Sequence, residues 1–470
     1  GRPAGARVWK RGSEGGRGGG EECMGGGGGG GGGGVTGRPG VRRSEIVSWS
    51  LYDFANSAFT TLIVTFIFST YFTQAIAADD VSGTLIWSRA VNISAIIVAL
   101  STPVLGAIAD FSCRKKLFLL IATLQTVIFT SLLFFMRPGM VLAAALLFVI
   151  ANVGFEGAQV FYNAFLPQIS TSKNIGRISG YGWSLGYVGG LAALFIAFGM
   201  VRGWLPEDDF FNVRATTLLV AVWMALFSIP IFMFLRERGT PHAVDRGSYI
   251  REGFRRVAET FRTLRHHREA AKLLLARLIY NDGLVTIFAF AAIYAAAVFG
   301  MTTQDIIFLG IIINIAAAAG AFGLGYVNDW IGGKWTIAIT LVVLIAAGIL
   351  GAAAQTRTGF WIAAVFIGLM VGPNQAASRS LLGTMIPEDK LGEFFGFFAF
   401  SGKLASVAGP FTYGAVVAAT RSHRAAIASV VVFFVIGFIV LMFVDERAGI
   451  AAARGGVAPE KAGAAPGPGE

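Results

Sequence analysis

Eight polar side chains interrupt the long apolar runs of this sequence: Asp53, Asn56, Glu156, Gln159, Asn281, Asp282, Asn374 and Lys403. Four of them are ionisable. Such a group inside a bilayer costs roughly 2.5–3.5 kcal/mol even on the lenient insertion scale, so each needs a partner or a water-filled cavity. On helices, Asp53 shares a face with Asn56, and Glu156 with Gln159. Counted at about 1.5 Å per residue, the clusters around Asp53, Glu156, Asp282 and Asn374 share a depth of roughly 10–15 Å from one membrane edge. The chemistry open to them is binding and proton carriage. Glu156 lies between Gly154 and Gly157 with no cation within one helical turn. Burial without a counter-charge favours the protonated carboxyl, so Glu156 is the expected proton-titrating group. Asp53 and Asp282 begin nearer the basic edge and are expected to bind a cationic group, or to pair with Arg277, Lys403 or loop cations as scaffold. Lys403 is expected to partner Glu156 or Asp282, or to bind a carboxylate. Arg177 and Arg277 read as snorkelling cations. Tyr162, Asn163, Tyr181 and Trp183 are weaker candidates.

No nucleophile–base pair or metal-ligand spacing accompanies these residues. Gly-Gly-Lys at 332–334 lacks a phosphate-loop spacing, and Cys23 and Cys113 have no metal-ligand spacing. The sequence therefore reads as neither an enzyme nor a cofactor protein. The chain has 470 residues, 55% of them hydrophobic and 14% charged, with 40 Phe and a mean hydropathy of +0.66. Soluble domains carry roughly 25% charged residues. The net charge of +11 sits in short gaps between apolar runs, which points to a bilayer and not to nucleic acid.

Twelve runs are long enough to cross a bilayer as helices. They are read as 49–77, 86–109, 117–136, 140–166, 177–200, 214–235, 273–299, 305–328, 335–354, 359–384, 392–419 and 424–444. One set of gaps holds Arg114, Lys115, Lys116, Lys173, Arg177, Lys334, Lys390 and ten further Lys or Arg in 236–272; the other holds Arg137, Arg202, Arg357, Arg421 and Arg424. By the positive-inside rule both termini are expected in the cytoplasm. Residues 1–44 and 446–470, rich in Gly or Ala, are read as disordered tails. Between them lie an N-terminal bundle (45–236), a basic linker (237–272) and a C-terminal bundle (273–445). In the linker, Ile250, Phe254, Val257, Phe261 and Leu264 form one helical stripe among arginines, expected to lie on the anionic inner leaflet.

The two halves repeat. Gly106 and Asp110, followed by Arg114 and Lys115, match Gly325 and Asp329, followed by Gly332 and Lys334. Gly176, Gly180 and Gly186 match Gly392, Gly396 and Gly402. Val153-Gly154 before Glu156 matches Val371-Gly372 before Asn374, and Tyr52-Asp53 matches Tyr280-Asn281-Asp282. A duplicated six-span unit is how many secondary transporters are built. The glycine spacings of spans 5 and 11 suit close helix approach and are read as gating seams.

The paired loop motif resembles that of the major facilitator superfamily, with Cys113 standing where the first copy usually has Gly. The run Tyr52-Asp53-Phe54-Ala55-Asn56-Ser57-Ala58-Phe59, with Tyr280-Asn281-Asp282-Gly283, is similar to the autophagy-related vacuolar amino-acid effluxers and their bacterial "unknown major facilitator" relatives. The resemblance spans about 45–445. It implies an all-α membrane protein of twelve helices in two pseudo-symmetric bundles, with spans 1, 4, 7 and 10 lining a central cavity. It implies that Asp110 and Asp329 stabilise one conformer by contacts to the opposite half. It also implies efflux of a small solute, neutral amino acids first, by alternating access. The rival functions are a proton-coupled carrier of another solute, such as a sugar or drug, and a non-transporting sensor or scaffold. The expected partners are the solute, H+ and lipid, with the chain acting as a monomer. The expected location is a bacterial plasma membrane, or a vacuolar membrane in a eukaryote.

Overall fold

A bilayer offers backbone N–H and C=O groups no water, so apolar runs must close their hydrogen bonds within helices. The computed structural model shows this over the residues it describes, 40–238, 249–262, 267–405 and 408–454. Twelve helices there are long and apolar enough to cross a membrane. Spans 1–6 are Arg43–Ile76, Val81–Ser112, Lys115–Phe135, Val141–Ile169, Ile175–Trp204 and Asp208–Phe234. Spans 7–12 are Arg268–Phe299, Gln304–Ile331, Gly333–Ala353, Arg357–Thr384, Glu388–Thr420 and His423–Met442. The two groups form two bundles, which meet mainly through span 2 against span 11 and span 5 against span 8. Large apolar side chains such as Trp330 and Phe411 cover the outside, as a lipid-facing surface requires.

Span 1 starts earlier than its hydropathy suggests. Glu45 accepts from the Arg42 N–H and pairs with Arg238 at 2.9 Å, tying the start of span 1 to the end of span 6. Further along, span 1 is not a uniform α-helix. Phe59–Phe66 and Phe72–Ile76 take wider π turns, which periodicity alone does not predict.

One short helix forms where the linker stripe predicts it, and another corrects the reading of the last tail. Tyr249–Arg262 is helical, and part of its apolar side packs against span 2. Gly253 sits against Val104 and Ile108 of span 2, and Val257 joins the cluster of Val104, Ile108 and Phe111. The Arg256 guanidinium lies 5.0 Å from the Phe111 ring, while Phe254 stays exposed. Glu252 is held below the usual carboxylate range, first by its hydrogen bond from Arg255. Leu264 and the side chains of Ile250 and Phe261 lie outside the described residues. Glu446–Ala453 forms a helix where the sequence reads as tail. Residues 1–39 and 455–470 also lie outside the described residues.

Candidate functional site

One end of the bundles carries the loops between spans 2 and 3 and spans 8 and 9, and is called here the basic end. There each half caps a helix of the other. Asp110 of span 2 accepts from the backbone N–H groups of Gly392 and Glu393, both at 2.9 Å, at the start of the span 11 helix. Lys115 pairs with the same carboxylate at 2.7 Å. Asp329 of span 8 accepts from Gly176 N–H at 2.8 Å and Arg177 N–H at 3.3 Å, at the start of span 5. The Arg177 Nε lies 3.2 Å from the other oxygen without hydrogen-bond geometry. A carboxylate at a helix N-terminus meets unpaired N–H groups and the positive end of the helix dipole. Glycine makes this approach possible. A Cβ on Gly106 would lie 2.1 Å from the Gly392 carbonyl oxygen, and one on Gly325 3.0 Å from the Arg177 Cα.

A second pair of acids caps the helices that leave these loops. Glu237 accepts from the Lys115 and Lys116 N–H groups, and Glu446 from Gly333 and Lys334. Burial pushes the Glu237 carboxyl up, and the bonds from Lys115 and Lys116 oppose the shift.

Inward of this end, an ion pair joins the halves. Arg379 of span 10 donates from Nη1 to Asp53 Oδ2 and Asn163 Oδ1, both at 3.1 Å. It donates from Nε to the Ser179 hydroxyl at 3.0 Å and from Nη2 to the Ser179 carbonyl at 2.8 Å. All four acceptors belong to the N-terminal half. Tyr162 donates to the same Asp53 oxygen at 2.8 Å, and the guanidinium lies 4.8 Å from the Trp49 ring. The pair is nearly sealed, with side-chain exposures of 3% for Arg379 and 10% for Asp53.

Above this floor lies a cavity of about 370 Å³ between the halves. Its N-terminal wall carries two acids, Asp53 and Glu156, beside Asn56 and Gln159. Its C-terminal wall carries three cations, Arg277, Arg379 and Lys403, beside Asn281 and Gln375. Lys403 bonds to Glu156 across the cavity. The walls therefore have opposite sign, and one cation is in excess.

Residues 85–454 match the family described as "Vacuole effluxer Atg22 like". The chain belongs to this family. It is 30% identical over 412 residues to the "Uncharacterized MFS-type transporter YxiO" of Bacillus subtilis (strain 168), covering 85% of this chain and 94% of that protein. It is 25% identical over 332 residues to "Autophagy-related protein 22" of Yarrowia lipolytica, covering 64% of this chain and 55% of that protein. Among solved structures, the fold resembles FucP in the outward conformation, with a TM-score of 0.69 at 15% identity over 86% of this chain and 100% of FucP. It also resembles the human organic anion transporter MFSD10, with a TM-score of 0.68 at 14% identity over 85% of this chain and 99% of that one. The chain is thus a multi-pass membrane transporter of the major facilitator fold and not an enzyme.

Within this Atg22-like fold, Asp53, Asn56, Glu156, Gln159, Asn281 and Lys403 line the cavity. Asp282 and Asn374 do not. Asp282 accepts from the Ala408 and Gly409 N–H groups at 3.1 and 2.8 Å, at the start of the outer helix Ala408–Thr420 of span 11. Asn374 is fully buried and donates to Thr340 at 2.9 Å within its own half. Both satisfy helix and bundle polarity, which counting residues along a helix does not distinguish from facing a cavity. Glu156 has the counter-charge that its own helix lacks. Arg177 and Arg277 do not snorkel: the first reaches Asp329, and the second is buried at the cavity. Arg379 and Gln375 were missed. Arg379 sits only a turn and a half before the end of span 10, where a cation ordinarily reaches the membrane edge. Gly182 shows why it is buried: a Cβ there would lie 2.6 Å from Asp53 Oδ2 and 3.0 Å from Arg379 Nη2.

The loop contacts give a first prediction. Asp110→Asn and Asp329→Asn should both raise the fraction of protein open at the basic end, by about 5- to 150-fold. Asp110→Asn should act more strongly, because its carboxylate is more deeply buried and holds two short N–H bonds plus Lys115. Spin labels at Ser172→Cys and Asp389→Cys, in a Cys23→Ser/Cys113→Ser background, report the opening. An unchanged distance distribution in both variants would show that the loops serve topology alone.

Proposed function

We propose that this chain is a secondary active transporter of neutral amino acids, working by alternating access and coupled to H+. The observation that carries the substrate class is the sign of the cavity walls. A zwitterion has an amine and a carboxylate a few ångströms apart. Here acids on one half face cations on the other, so such a solute finds a partner for each end and bridges the halves. A sugar needs no such charges, and a scaffold would not retain groups so costly to bury. The family description, "Vacuole effluxer Atg22 like", supports efflux from a compartment as the direction.

The excess of Lys and Arg at the basic end supports placing that end, with both termini, in the cytoplasm. The contacts between the halves at the basic end then close the cavity to the cytoplasm. The Bacillus relative supports a bacterial plasma membrane.

The experiment is uptake and efflux of labelled leucine, alanine, fucose and a cationic dye by purified protein in proteoliposomes, with and without a pH gradient. Leucine or alanine counterflow, accelerated by the gradient, is expected. Movement of fucose or dye with neither amino acid would replace the substrate class. The orientation is checked separately in intact cells: Gln355→Cys should be labelled from outside by a membrane-impermeant maleimide and Lys173→Cys should not.

A further inference from the structure

We propose that Arg277 is the docking point for the carboxylate of the transported solute. The inference rests on the amino-acid reading above and assigns one end of the solute to one residue.

The first observation is charge. Of the five charged side chains at the cavity, Asp53 pairs with Arg379 and Glu156 with Lys403. Arg277 has no acidic partner among the described residues. Its Nη1 donates only to neutral acceptors, the Phe398 carbonyl at 2.9 Å and the Ser401 hydroxyl at 3.0 Å. Its Nε is buried without a partner. An arginine that is 7% exposed and lacks an anion is poorly compensated, since buried charge needs a partner of opposite sign. An anion entering the cavity supplies one.

The second observation is space and aim. The guanidinium carbon lies 3.5 Å from the Phe398 ring centre, so the planar group is held between a ring and two fixed acceptors. A Cβ on Gly402 would lie 3.1 Å from Nη1 and 3.4 Å from Nη2. Glycine at 402 therefore leaves room beside the guanidinium, and the next residue is Lys403. A carboxylate at Arg277 stands near a second cation, while the amine of the same molecule can face the acidic N-terminal wall. Charge-assisted bonds of this kind are the strong ones. A carboxamide of the same shape lacks the charge.

The experiment measures thermal stabilisation of the purified full-length protein by five probes: leucine, alanine, their two carboxamides and 4-methylpentanoate. Wild type should respond to leucine or alanine at concentrations at least about tenfold below those of the amides. Arg277→Gln should weaken the amino-acid response by about 10- to 100-fold and leave the amide response unchanged, so that the preference disappears. Arg277→Lys should retain part of it. Gly402→Ala, which keeps the arginine and fills the space beside it, should weaken the amino acids in the same direction. Each variant is first matched to wild type by its gel-filtration profile without ligand. If Arg277→Gln still prefers leucine over leucinamide, the assignment is overturned. If wild type answers to 4-methylpentanoate through Arg277 and to neither amino acid, the assignment stands and the amino-acid reading falls. If wild type answers to none of the three carboxylates, the assignment is overturned with it.

Discussion

Asp53→Asn is expected to shift the protein out of the conformer closed at the basic end by about 100-fold or more, and to abolish net transport. The reason lies in what it leaves behind. Arg379 stays buried among Trp49, Tyr162 and Ser179 with no anion facing it. Removing one partner of a buried pair costs about 3–5 kcal/mol. Here the lower figure applies, because Asn163 and Ser179 still accept hydrogen bonds from the guanidinium. At about 1.4 kcal/mol per tenfold, 3 kcal/mol is somewhat more than 100-fold. The whole penalty falls on the closed conformer. Every acceptor of Arg379 belongs to the other half, so the contact exists only while the basic end is shut. Asp53→Asn/Arg379→Gln should recover much of the closed population, since it removes the stranded charge as well as the pair. Gly182→Ala should reproduce part of the single-variant effect with both charges intact, by driving a methyl group between them. The readout is again the distance between labels at residues 172 and 389. A distribution for Asp53→Asn that matches wild type would mean that the pair is scaffold and does not gate the floor.

The parts of this molecule that were legible in the sequence are those in which one residue type is forced by one environment. Apolar length fixed the twelve spans, because the bilayer permits little else. Gly106 with Asp110 and Gly325 with Asp329 were legible as a repeat. The structure adds the partner of each, a helix N-terminus in the opposite half. Residues that depend on a third dimension were less legible. Asp53 stood out as a charge in an apolar run, but its partner Arg379 did not, since a cation close to a helix end reads as a membrane-edge residue. The closure of the halves buries that helix end, and closure is a tertiary fact. Asp282 stood out equally, yet its N–H partners lie on span 11. The acids behind the loop motif carried an unused signal. Met233-Phe234 followed by Glu237-Arg238 repeats as Met442-Phe443 followed by Glu446-Arg447. Both copies end a bundle, and in both the glutamate caps the helix after the loop motif. Placed in a linker and a tail, they look like ordinary surface charges.

Glu156→Gln is expected to abolish accumulation driven by a pH gradient and to spare exchange of solute across proteoliposomes. The structure changes the grounds for this without removing them. Lys403 now faces the carboxylate across the cavity, and the two residues come from opposite halves. Rocking of the halves must therefore separate them. A proton bound by Glu156 as Lys403 departs would be expelled on its return, which ties proton movement to the conformational cycle. Exchange needs no net proton movement and survives the loss of the carboxyl group. Lys403→Gln leaves the carboxyl in place but removes the cation that expels its proton, and is expected to lose most of the pH-driven accumulation while sparing exchange. The pair is less buried than that of Asp53, with side-chain exposures of 29% for Lys403 and 18% for Glu156, so water screens it. A double-mutant cycle on the conformer distribution should give a coupling of about 1–2 kcal/mol, roughly 5- to 30-fold. That is smaller than the effect at Asp53–Arg379, and the order of the two is itself part of the prediction. Full pH-driven accumulation by Glu156→Gln would move the proton to another group. A cycle with no coupling would mean that the contact with Lys403 does not hold the halves together.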